Sequence, residues 1–546
     1  MSRKVRFFNR LIIIQLLCYI SISFALDKAN YVVKIDNANS YYFWLRAKAP
    51  SGEESLINIA VDEGYSASLT FTDNQNFEWK KVSSAFYLAS GSHNISLQTN
   101  VLGTYIDKFI FTADAGYTPT GEGESSISPA SISNVWKEID LGGKGGILIM
   151  GDVNDDGKID FVESGLNYIS AYDNNGSLLW EKEISGKKLD YVGDGAWGCR
   201  PIDIDGDNNT EVVGLVCIND SLFLAALDGV TGDVESKRFL KAVSGDWYYD
   251  ATAIGNFRGI NSPQDFMIKV AENGYVPFEM TVYKFENGQF EVLWEFFSQQ
   301  GEKRAGCHRP RVCDIDEDGY DEIIFGHWAL EENGDVRWDK PYGFFDENNH
   351  IDSQRAGDIL PSNPGIEVAY ASGSLVLDAD GNVVWRKDID EGQSVALAEM
   401  RPDLPGLEIL IAYQEPYNDE RLFSSDGTQL WHFDGKNHYA ASYETYPIQW
   451  IGDEGRESVR QPWGRDRSPT IYDEYNNLVV RLTPEYDYWE IGYRPCDVTG
   501  DYREELICFS EDYIIIYENI AVNSRSFPSP WNDPVYRRNQ YNWVYY

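Results

Sequence analysis

One spacing of oxygen-bearing side chains recurs four times along the chain and constrains the fold more than any other feature. Acidic or polar residues stand at offsets 0, 2, 4 and 8 in each copy, with strand-like residues on both sides. The four copies are Asp152, Asn154, Asp156 and Asp160; Asp203, Asp205, Asp207 and Glu211; Asp314, Asp316, Asp318 and Glu322; and Asp497, Thr499, Asp501 and Glu505. Hard cations such as Ca²⁺ take oxygen ligands from alternate residues of a tight loop. The pattern therefore predicts strand–loop–strand Ca²⁺ sites, with acidic β-turns that hold no metal as the alternative.

Weaker copies of the same loop extend the repeat over the whole second part of the chain. They begin at residues 256, 358 and 399, with an eighth candidate near 453, so that successive copies lie about 49 residues apart. An Asn-Gly or Asp-Gly pair often follows the loop, as at Asn333-Gly334, and then a strand with a tryptophan such as Trp338. Such pairs favour two-residue hairpin turns. Two hairpins per repeat predict a four-stranded blade. The chain is thus predicted to be all-β with an eight-bladed β-propeller, seven blades being the fallback.

The region before the repeat divides into three segments. Residues 1–25 combine a basic start, an apolar run and small residues before a cleavage point, which predicts a secretory signal and a secreted or periplasmic protein. The apolar run is shorter than the roughly 20 residues that span a bilayer. Residues 26–117 lack the repeat and alternate as short strands, which predicts a small β-sandwich. Residues 118–134 are predicted to be the linker, and residues 135–546 the propeller.

The net charge limits the classes of ligand that the chain can bind, and the cysteines allow two alternative states. The chain carries 87 acidic and 46 basic residues, a formal net charge of −41. Such a field disfavours non-specific binding of nucleic acid, and an acidic ligand needs local Arg, His or Ca²⁺ to offset it. We expect a monomer with no nucleic-acid partner and no membrane span. Export permits disulfides among the six cysteines beyond the signal, and buried free thiols are the equal alternative: Cys199, Cys217, Cys307, Cys313, Cys496 and Cys508.

Cationic and aromatic residues concentrate just before the loops, where the first strand of each repeat begins. If the repeats form a propeller, this zone lies near the mouth of the central channel. The candidate catalytic residues are His308, His350, Arg309, Arg355 and Tyr249, and the candidate substrate-binding residues are Trp197, Arg200, Trp247, Tyr493 and Arg494. Aromatic rings stack on sugar faces, and arginine pairs with carboxylates. Histidine or tyrosine can remove the proton beside a carboxylate. The set predicts β-elimination at a uronate, although strand caps and local ion pairs are the alternative for any one residue.

Several stretches resemble one enzyme family. The segment from Asp497 to Ile507 is similar to the Gly-Asp-Trp-Arg-Glu-Glu signature of family 11 rhamnogalacturonan lyases, and so is His308 ahead of the Asp314 loop. His350 ahead of Asp358, the stretch from Trp450 to Glu457, and the segment from Asp533 to Arg537 also fit. The resemblance covers roughly residues 135–546 and implies an eight-bladed, calcium-dependent propeller. The N-terminal sandwich resembles carbohydrate-binding modules of families 6 and 35.

These observations predict a secreted polysaccharide lyase that cleaves a rhamnose- and uronate-containing glycan, of rhamnogalacturonan or ulvan type, with Ca²⁺ as cofactor. Within the cationic and aromatic set, His308 and His350 are predicted to be base and acid, Arg309 and Arg355 to neutralise the carboxylate, and Tyr249 to be an alternative base. Two alternatives remain open at the sequence level. One is a non-catalytic glycan-binding or adhesion propeller, and the other is a hydrolase or dehydratase acting on uronate oligosaccharides.

Overall fold

A computed structural model describes residues 11–15 and 28–542 apart from short interruptions. The interruptions are 36–37, 63, 73–76, 90, 102–103, 114–115, 117, 120–132, 185–191, 193–195, 241–242, 244–246, 260–263, 273–275, 300, 305, 308, 346–350, 388, 390–391, 414–418, 434–444, 453–454, 461–468, 477, 483–491 and 521–526. His308, His350, most of the predicted signal and most of the predicted linker therefore lie outside the described residues.

The chain divides into two compact units, one made mainly of Met1–Ser133 and one mainly of the residues that follow. The strands of the first unit are β1 (Leu11–Gln15), β2 (Lys28–Ile35), β3 (Asn39–Lys48), β4 (Glu54–Val61), β5 (Tyr65–Thr72), β6 (Glu78–Lys81), β7 (Phe86–Leu88), β8 (Gly91–Thr99) and β9 (Tyr105–Thr112). They form one sheet in the order β1-β9-β3-β6, with β7 also beside β3, and a second in the order β2-β8-β4-β5. Phe43, Ile57, Ile95 and Phe109 belong to one buried core drawn from both sheets. Leu11–Gln15, inside the segment predicted to be a signal, pairs with β9 as an edge strand, and the signal itself stays a prediction.

The second unit is built from four-stranded antiparallel sheets, each formed by four strands that are consecutive in the chain, except the last. Sheet 1 holds β11 (Gly146–Gly151), β12 (Asp160–Gly165), β13 (Tyr168–Tyr172) and β14 (Leu178–Glu183); sheet 2 holds β15 (Arg200–Ile202), β16 (Glu211–Ile218), β17 (Ser221–Asp228) and β18 (Val234–Phe239); sheet 3 holds β19 (Trp247–Gly255), β20 (Asp265–Glu272), β21 (Phe278–Glu286) and β22 (Gln289–Phe297); sheet 4 holds β23 (Arg311–Cys313), β24 (Glu322–Phe325), β25 (Trp328–Leu330) and β26 (Val336–Asp339).

The later sheets repeat the same order of strands. Sheet 5 holds β27 (Gln354–Gly357), β28 (Glu367–Tyr370), β29 (Leu375–Leu377) and β30 (Val383–Arg386); sheet 6 holds β31 (Gly392–Ala398), β32 (Glu408–Tyr413), β33 (Asp419–Phe423) and β34 (Gln429–Phe433); sheet 7 holds β35 (Thr445–Ile448), β36 (Glu457–Arg460), β37 (Thr470–Tyr472) and β38 (Leu478–Arg481). Sheet 8 joins β10 (Ser133–Asp140) to β41 (Tyr513–Asn519), β40 (Glu505–Phe509) and β39 (Gly492–Cys496). The prediction of an all-β chain is confirmed, and the described residues include a single α-helix, α1 (Pro534–Tyr541).

The spacing of the acidic repeat has a direct structural reason. The residue at offset 8 is the first residue of the second strand of its sheet, as Glu322 is in β24. Its carboxylate folds back and accepts the backbone N–H of the residue at offset 1, as Glu322 Oε2 does from Ile315 at 2.7 Å. The same contact occurs at Asp160, Glu211 and Glu505. In the degenerate copies, Glu408 accepts from Arg401 N and Glu457 from Trp450 N, each seven residues earlier in the chain. The carboxylate that begins the second strand therefore closes the loop in copies with and without the full acidic set.

A tryptophan on the fourth strand links a sheet to the next one. Its indole Nε1–H donates to a backbone carbonyl in the turn between the third and fourth strands of the following sheet. The pairs are Trp180 to Gly229 (2.6 Å), Trp294 to Glu332 (2.7 Å), Trp385 to Ser425 (2.9 Å) and Trp431 to Glu474 (3.1 Å). The turn also packs closely on the ring, because a Cβ added at Gly427 (φ +81°) would stand 2.8 Å from a ring carbon of Trp385. The recurrence of Trp after the turn motif is thus explained by contact between sheets.

The described cysteines are not paired with one another. Cys199, Cys217, Cys307, Cys313, Cys496 and Cys508 are all buried free thiols, so the structure selects the free-thiol alternative over disulfides. Within the described part of the chain, no helix is long and apolar enough to cross a membrane.

Candidate functional site

Carboxylates converge in two of the four acidic loops. In sheet 2, ligand atoms of Asp203, Asp205 and Glu211 lie within 4.8 Å of one another, and in sheet 4 those of Asp314, Asp316 and Glu322 do so. The offset-4 residues Asp207 and Asp318 are outside these two groups; they accept backbone N–H groups of their own loops, from Asn209 at 2.7 Å and Tyr320 at 2.9 Å.

The sheet 4 loop has the character of a cation site. Glu322 is fully buried, yet its Oε1 has no hydrogen-bond partner among the described residues, and the same holds for Oδ1 of Asp316. Burial raises the pKa of Glu322 to about 9 and that of Glu211 in sheet 2 to about 8. Buried carboxylate oxygens without donors are costly unless a positive charge meets them. A donor set made only of oxygens is the one that Ca²⁺ prefers, so the residues present fit that ion.

The other two full loops share these backbone contacts but differ in how their carboxylates are grouped. Asp152 accepts the backbone N–H groups of Asp156 and Gly157, as Asp314 does from Asp318 and Gly319. Asp497 accepts from Gly500, as Asp203 does from Gly206, and also from the hydroxyl of Ser529. In the described residues of these two loops, no three acidic side chains come within metal-binding distance of one another. The two sets are Asp152, Asn154, Asp156 and Asp160, and Asp497, Asp501 and Glu505. The predicted metal role of these two sets stays a prediction.

In sheet 3, whose loop is a degenerate copy, an arginine stands among the positions that carry acidic residues in the full copies. Asp265, at the start of β20, is fully buried and receives a hydrogen bond from Nε of Arg258 at 2.8 Å. A guanidinium from the loop thus supplies positive charge beside the second strand of this sheet. The sequence spacing alone did not reveal this substitution, although an Arg within the loop is its signal.

Arg200 and Arg494, which were predicted to bind substrate, form hydrogen bonds that stabilise the fold. Arg200 is 1% exposed, and its three guanidinium nitrogens donate to the carbonyls of Gly198, Thr252 and Tyr541. Arg494 is 0% exposed and donates to Leu148 O and to the side chain and backbone of Gln540. Both side chains hold the C-terminal end of α1 against the first strands of sheets 1, 2, 3 and 8. Burial and these contacts occupy their polar atoms, which weighs against direct contact with substrate, and the substrate-binding role of both arginines stays a prediction.

The aromatic candidates are also more buried than the sequence suggested. Tyr249 and Tyr493 are each 4% exposed, and burial raises the pKa of Tyr249 far above its ordinary value. A phenol that resists ionisation is a poor base, which weighs against Tyr249 in that role. Trp197 and Trp247 are half-buried, and Trp197 donates its indole N–H to Val192 O at 3.0 Å.

The two arginines predicted to neutralise a carboxylate lie on neighbouring sheets. Arg309 is buried just before β23, and Arg355 is half-buried within β27, where it donates to Gln354 O at 2.9 Å. His308 and His350 lie outside the described residues. Their chain neighbours Cys307 and Ile351 pair with each other as a parallel bridge. The described backbone therefore brings together the two segments on which these four candidates were predicted.

A buried polar network fixes the segment at Cys307. Nζ of Lys269, 0% exposed, lies 2.6 Å from Oδ2 of Asp250 and donates to Cys307 O at 3.1 Å. From the other side, Nε2 of Gln354 donates to Ile324 O at 2.6 Å and lies 3.1 Å from Sγ of Cys307. The network connects β20 of sheet 3, the segment before β23 of sheet 4, and β27 of sheet 5. Sequence reasoning missed Lys269; its signal is a lysine inside the apolar run Asp265–Glu272.

Comparisons with known proteins agree on one family. A family model described as rhamnogalacturonan lyase family 11, C-terminal domain, matches residues 267–544, about half of the chain. The chain belongs to rhamnogalacturonan lyase family 11. The resemblance to family 11 lyases stated from the sequence is thereby confirmed, and the resemblance of the N-terminal sandwich to carbohydrate-binding modules stays a prediction.

Relatives within this lyase family include two proteins of Bacillus subtilis. The chain is 28% identical to rhamnogalacturonan exolyase YesX over an alignment of 296 residues, and the match covers 49% of this chain and 46% of that protein. It is also 28% identical to rhamnogalacturonan endolyase YesW over an alignment of 294 residues, and the match covers 49% of this chain and 43% of that protein. The chain thus spans about half the length of the curated relatives it matches. The crystal structure of rhamnogalacturonan lyase YesW superposes with a TM-score of 0.55 at 18% identity, covering 93% of this chain and 94% of that one.

In this family member, the C-terminal helix gathers parts of several sheets. Asn542, at the end of α1, accepts from Ile254 N at 2.7 Å, and Arg538 forms an ion pair with Asp321 before β24. Trp531, in the turn just before α1, donates to Asp497 O at 2.7 Å. The short helix therefore touches sheets 1, 2, 3, 4 and 8, which places it where their first strands approach one another.

Proposed function

We propose that this chain is a secreted, calcium-binding polysaccharide lyase that cleaves a rhamnose- and uronate-containing glycan by β-elimination. The family membership carries the proposal. Rhamnogalacturonan is the favoured glycan because the names of both relatives specify it, and an ulvan-type glycan is the alternative.

The proposed chemistry assigns each described or predicted group one task. A base removes the proton from C5 of the uronate, a C4–C5 double bond forms, the C4–O bond breaks, and an acid protonates the leaving oxygen. His308 and His350 are the proposed base and acid. Arg309 and Arg355 neutralise the uronate carboxylate, which makes the C5 proton more acidic. The bridge between Cys307 and Ile351 and the buried network around Cys307 support a shared site for these groups.

We propose that Ca²⁺ binds two of the acidic loops and stabilises them. Asp203, Asp205 and Glu211, and Asp314, Asp316 and Glu322, would hold Ca²⁺. When bound, the ion supplies positive charge to buried carboxylates and orders the loops that follow the first strands of sheets 2 and 4.

We further propose that the eight sheets form a closed eight-bladed propeller with α1 at its hub. Two contacts support closure: β10, from the start of the second unit, completes sheet 8 with strands from its end, and first strands of successive sheets contact one another, as β27 does β31 and β31 does β35.

The test is the ultraviolet absorbance of the unsaturated uronate product. The purified chain, with and without EDTA, is incubated with rhamnogalacturonan I, ulvan and a neutral galactan. Rising absorbance on one acidic glycan, lost in His308→Ala and retained in Lys303→Met, is expected. A folded, Ca²⁺-loaded protein that yields no absorbance on either acidic glycan would contradict a lyase and favour glycan binding without turnover.

The glycan chain length of the product separates two modes of cleavage. Size-exclusion chromatography early in the reaction distinguishes cuts inside the polymer, which lower its mass at once, from release of small units at one end.

A further inference from the structure

A short aromatic turn follows sheet 4 in the second unit. Phe344 N donates to Pro341 O at 3.1 Å, and Gly343 between them has φ +79°, which is the pattern of a type II β-turn. Tyr342, also inside the turn, is 61% exposed, whereas Phe345 directly after it is buried. The buried phenylalanine anchors the turn in the core, and the turn presents the tyrosine to solvent.

The ring of Phe344 lies beside two cations, one of which is exposed. The guanidinium carbon of Arg386 lies 4.7 Å, and Nζ of Lys340 5.5 Å, from the ring centre. Nζ of Lys340 also donates to Gly381 O at 2.5 Å. Arg386, the last residue of β30, is exposed, and among the described residues its guanidinium forms no hydrogen bond or ion pair. Contact with a ring holds a cation in place without neutralising it, so Arg386 presents a positive charge to solvent.

The turn and Arg386 lie at the same edge of the sheets as the segments that carry the predicted catalytic residues. Antiparallel strands alternate in direction, so the fourth strand of a sheet ends at the edge where the first strand begins. Sheets 4 and 5 both follow this order. Cys307 and Ile351, each shortly before a first strand, pair with each other at that edge. Phe344 lies within about 25 Å of Ile351, because an extended residue spans at most about 3.6 Å.

We propose that Tyr342, Phe344 and Arg386, which we call the rim patch, bind a part of the acidic polysaccharide outside the linkage that is cleaved. Arg386 pairs with a uronate carboxylate, and Tyr342 packs on the face of a pyranose ring. Charge complementarity selects this occupant, because the patch combines an exposed positive charge with exposed aromatic surface. The edge that the patch shares with the predicted catalytic segments lets one polymer reach both. The inference rests on the proposed function for its choice of glycan, and it adds a surface that determines the preference for long substrates.

The experiment compares long and short substrates on the full chain. Initial rates are measured from the ultraviolet absorbance of the unsaturated uronate, with rhamnogalacturonan I and with short rhamnogalacturonan oligosaccharides that cannot extend from the cleaved linkage to the patch. The test variants are Arg386→Met, which keeps the aliphatic stem, and Tyr342→Ser. The matched controls are Lys237→Met, which removes an exposed cation 4.8 Å from the ring centre of Phe223, and Tyr87→Ser, which removes a tyrosine that is 58% exposed.

Arg386→Met should raise KM for the polymer about fivefold and leave kcat unchanged, because one exposed charge contact outside the reacting linkage is lost. Tyr342→Ser should have a similar effect, and neither variant should alter KM for the short oligosaccharides. Arg386→Lys keeps the charge and should restore most of the affinity for the polymer. The proposal would be overturned if Arg386→Met changed KM for the polymer no more than Lys237→Met does, or if it changed KM equally for both substrates.

A binding measurement separates failure of this inference from failure of the proposed lyase function. In proteins that also carry His308→Ala, affinity is measured by native electrophoresis in gels containing rhamnogalacturonan I or the same polymer with its carboxyl groups reduced. Arg386→Met should weaken binding of the native polymer alone. If no protein yields unsaturated uronate yet this difference persists, the lyase function fails and the rim patch stands. Equal retardation of Arg386→Met and Lys237→Met by the native polymer would overturn the patch whether or not turnover occurs.

Discussion

The buried pair Lys269–Asp250 allows a quantitative test of how the segment at Cys307 is held. The perturbation is Lys269→Met, which keeps the length of the side chain and removes its charge. Asp250, only 8% exposed at its side chain, then loses its cationic partner, and Cys307 O loses a donor.

The magnitude follows from the geometry. Two unit charges 2.6 Å apart attract by about 6 kcal/mol at an effective dielectric constant of about 20. Desolvation of both groups offsets much of this attraction, but removing one partner leaves the other charge buried and uncompensated, which typically costs about 3–5 kcal/mol. Lys269→Met should therefore lower the free energy of unfolding by about 3–5 kcal/mol. The double variant Lys269→Met, Asp250→Asn should recover more than half of that loss, because no buried charge remains.

The assay is urea unfolding followed by tryptophan fluorescence at fixed Ca²⁺ concentration. The matched control is Lys182→Met, which breaks an ion pair of similar length, 2.9 Å, with Asp233, whose side chain is 78% exposed; its cost should stay below about 1 kcal/mol. The reasoning from burial is refuted if Lys269→Met lowers the free energy of unfolding no more than this control does. It is also refuted if the loss in the double variant equals the sum of the losses in Lys269→Met and Asp250→Asn.

Three further predictions concern other parts of the chain. Trp385→Phe should destabilise the second unit by about 1 kcal/mol in thermal unfolding, because the hydrogen bond to Ser425 O is lost; an unchanged melting temperature would contradict the link between sheets. Removing Ca²⁺ should lower the melting temperature, by the equivalent of about 2.7 kcal/mol if Ca²⁺ was present at about 100 times its dissociation constant. Glu322→Gln should reduce that difference, and an equal EDTA effect in this variant would refute the assignment. Burial alone lowers the pKa of His93, but hydrogen bonds to Asp62 and a backbone carbonyl outweigh it and raise the pKa above 6.5. The stability this pair contributes is therefore full below pH 6.5 and declines as the pH rises through the raised pKa, a decline that His93→Gln should abolish in urea titrations across that range.

The repeat could be predicted from the sequence because its signals are local. The offset-8 acid begins a strand and binds a backbone N–H seven residues earlier, so the spacing is fixed by one loop. The Asn-Gly and Asp-Gly turns likewise depend on the conformation of two or three residues, as at Gly334 with φ +87°. These features gave the four-stranded units and their order along the chain.

The site was harder to predict because its residues act across sheets. Arg200 and Arg494 were conspicuous cations in an acidic chain, but each has a partner in α1, far away in the sequence: Tyr541 O for Arg200 and Gln540 for Arg494. Lys269 looked like an interruption of an apolar strand, and only the fold shows that Asp250 and Cys307 O surround it. Burial decides whether an arginine or tyrosine binds substrate or fixes the structure, and the sequence pattern does not report burial at strand ends.

The strands of sheet 8 come from distant parts of the chain and are therefore synthesised at different times. The outermost strand, Ser133–Asp140, pairs with Tyr513–Asn519, a partner that the ribosome adds about 370 residues later, roughly 20–75 s at common rates of translation. During that interval the nascent chain exposes a strand edge that could join any other unpaired edge. Lys137, Glu138 and Asp140 lie within this strand, and charged side chains discourage such pairing. The first strand of sheet 8 to be synthesised thus waits for a partner from about 370 residues later, and its charged residues disfavour pairing with other edges in the meantime.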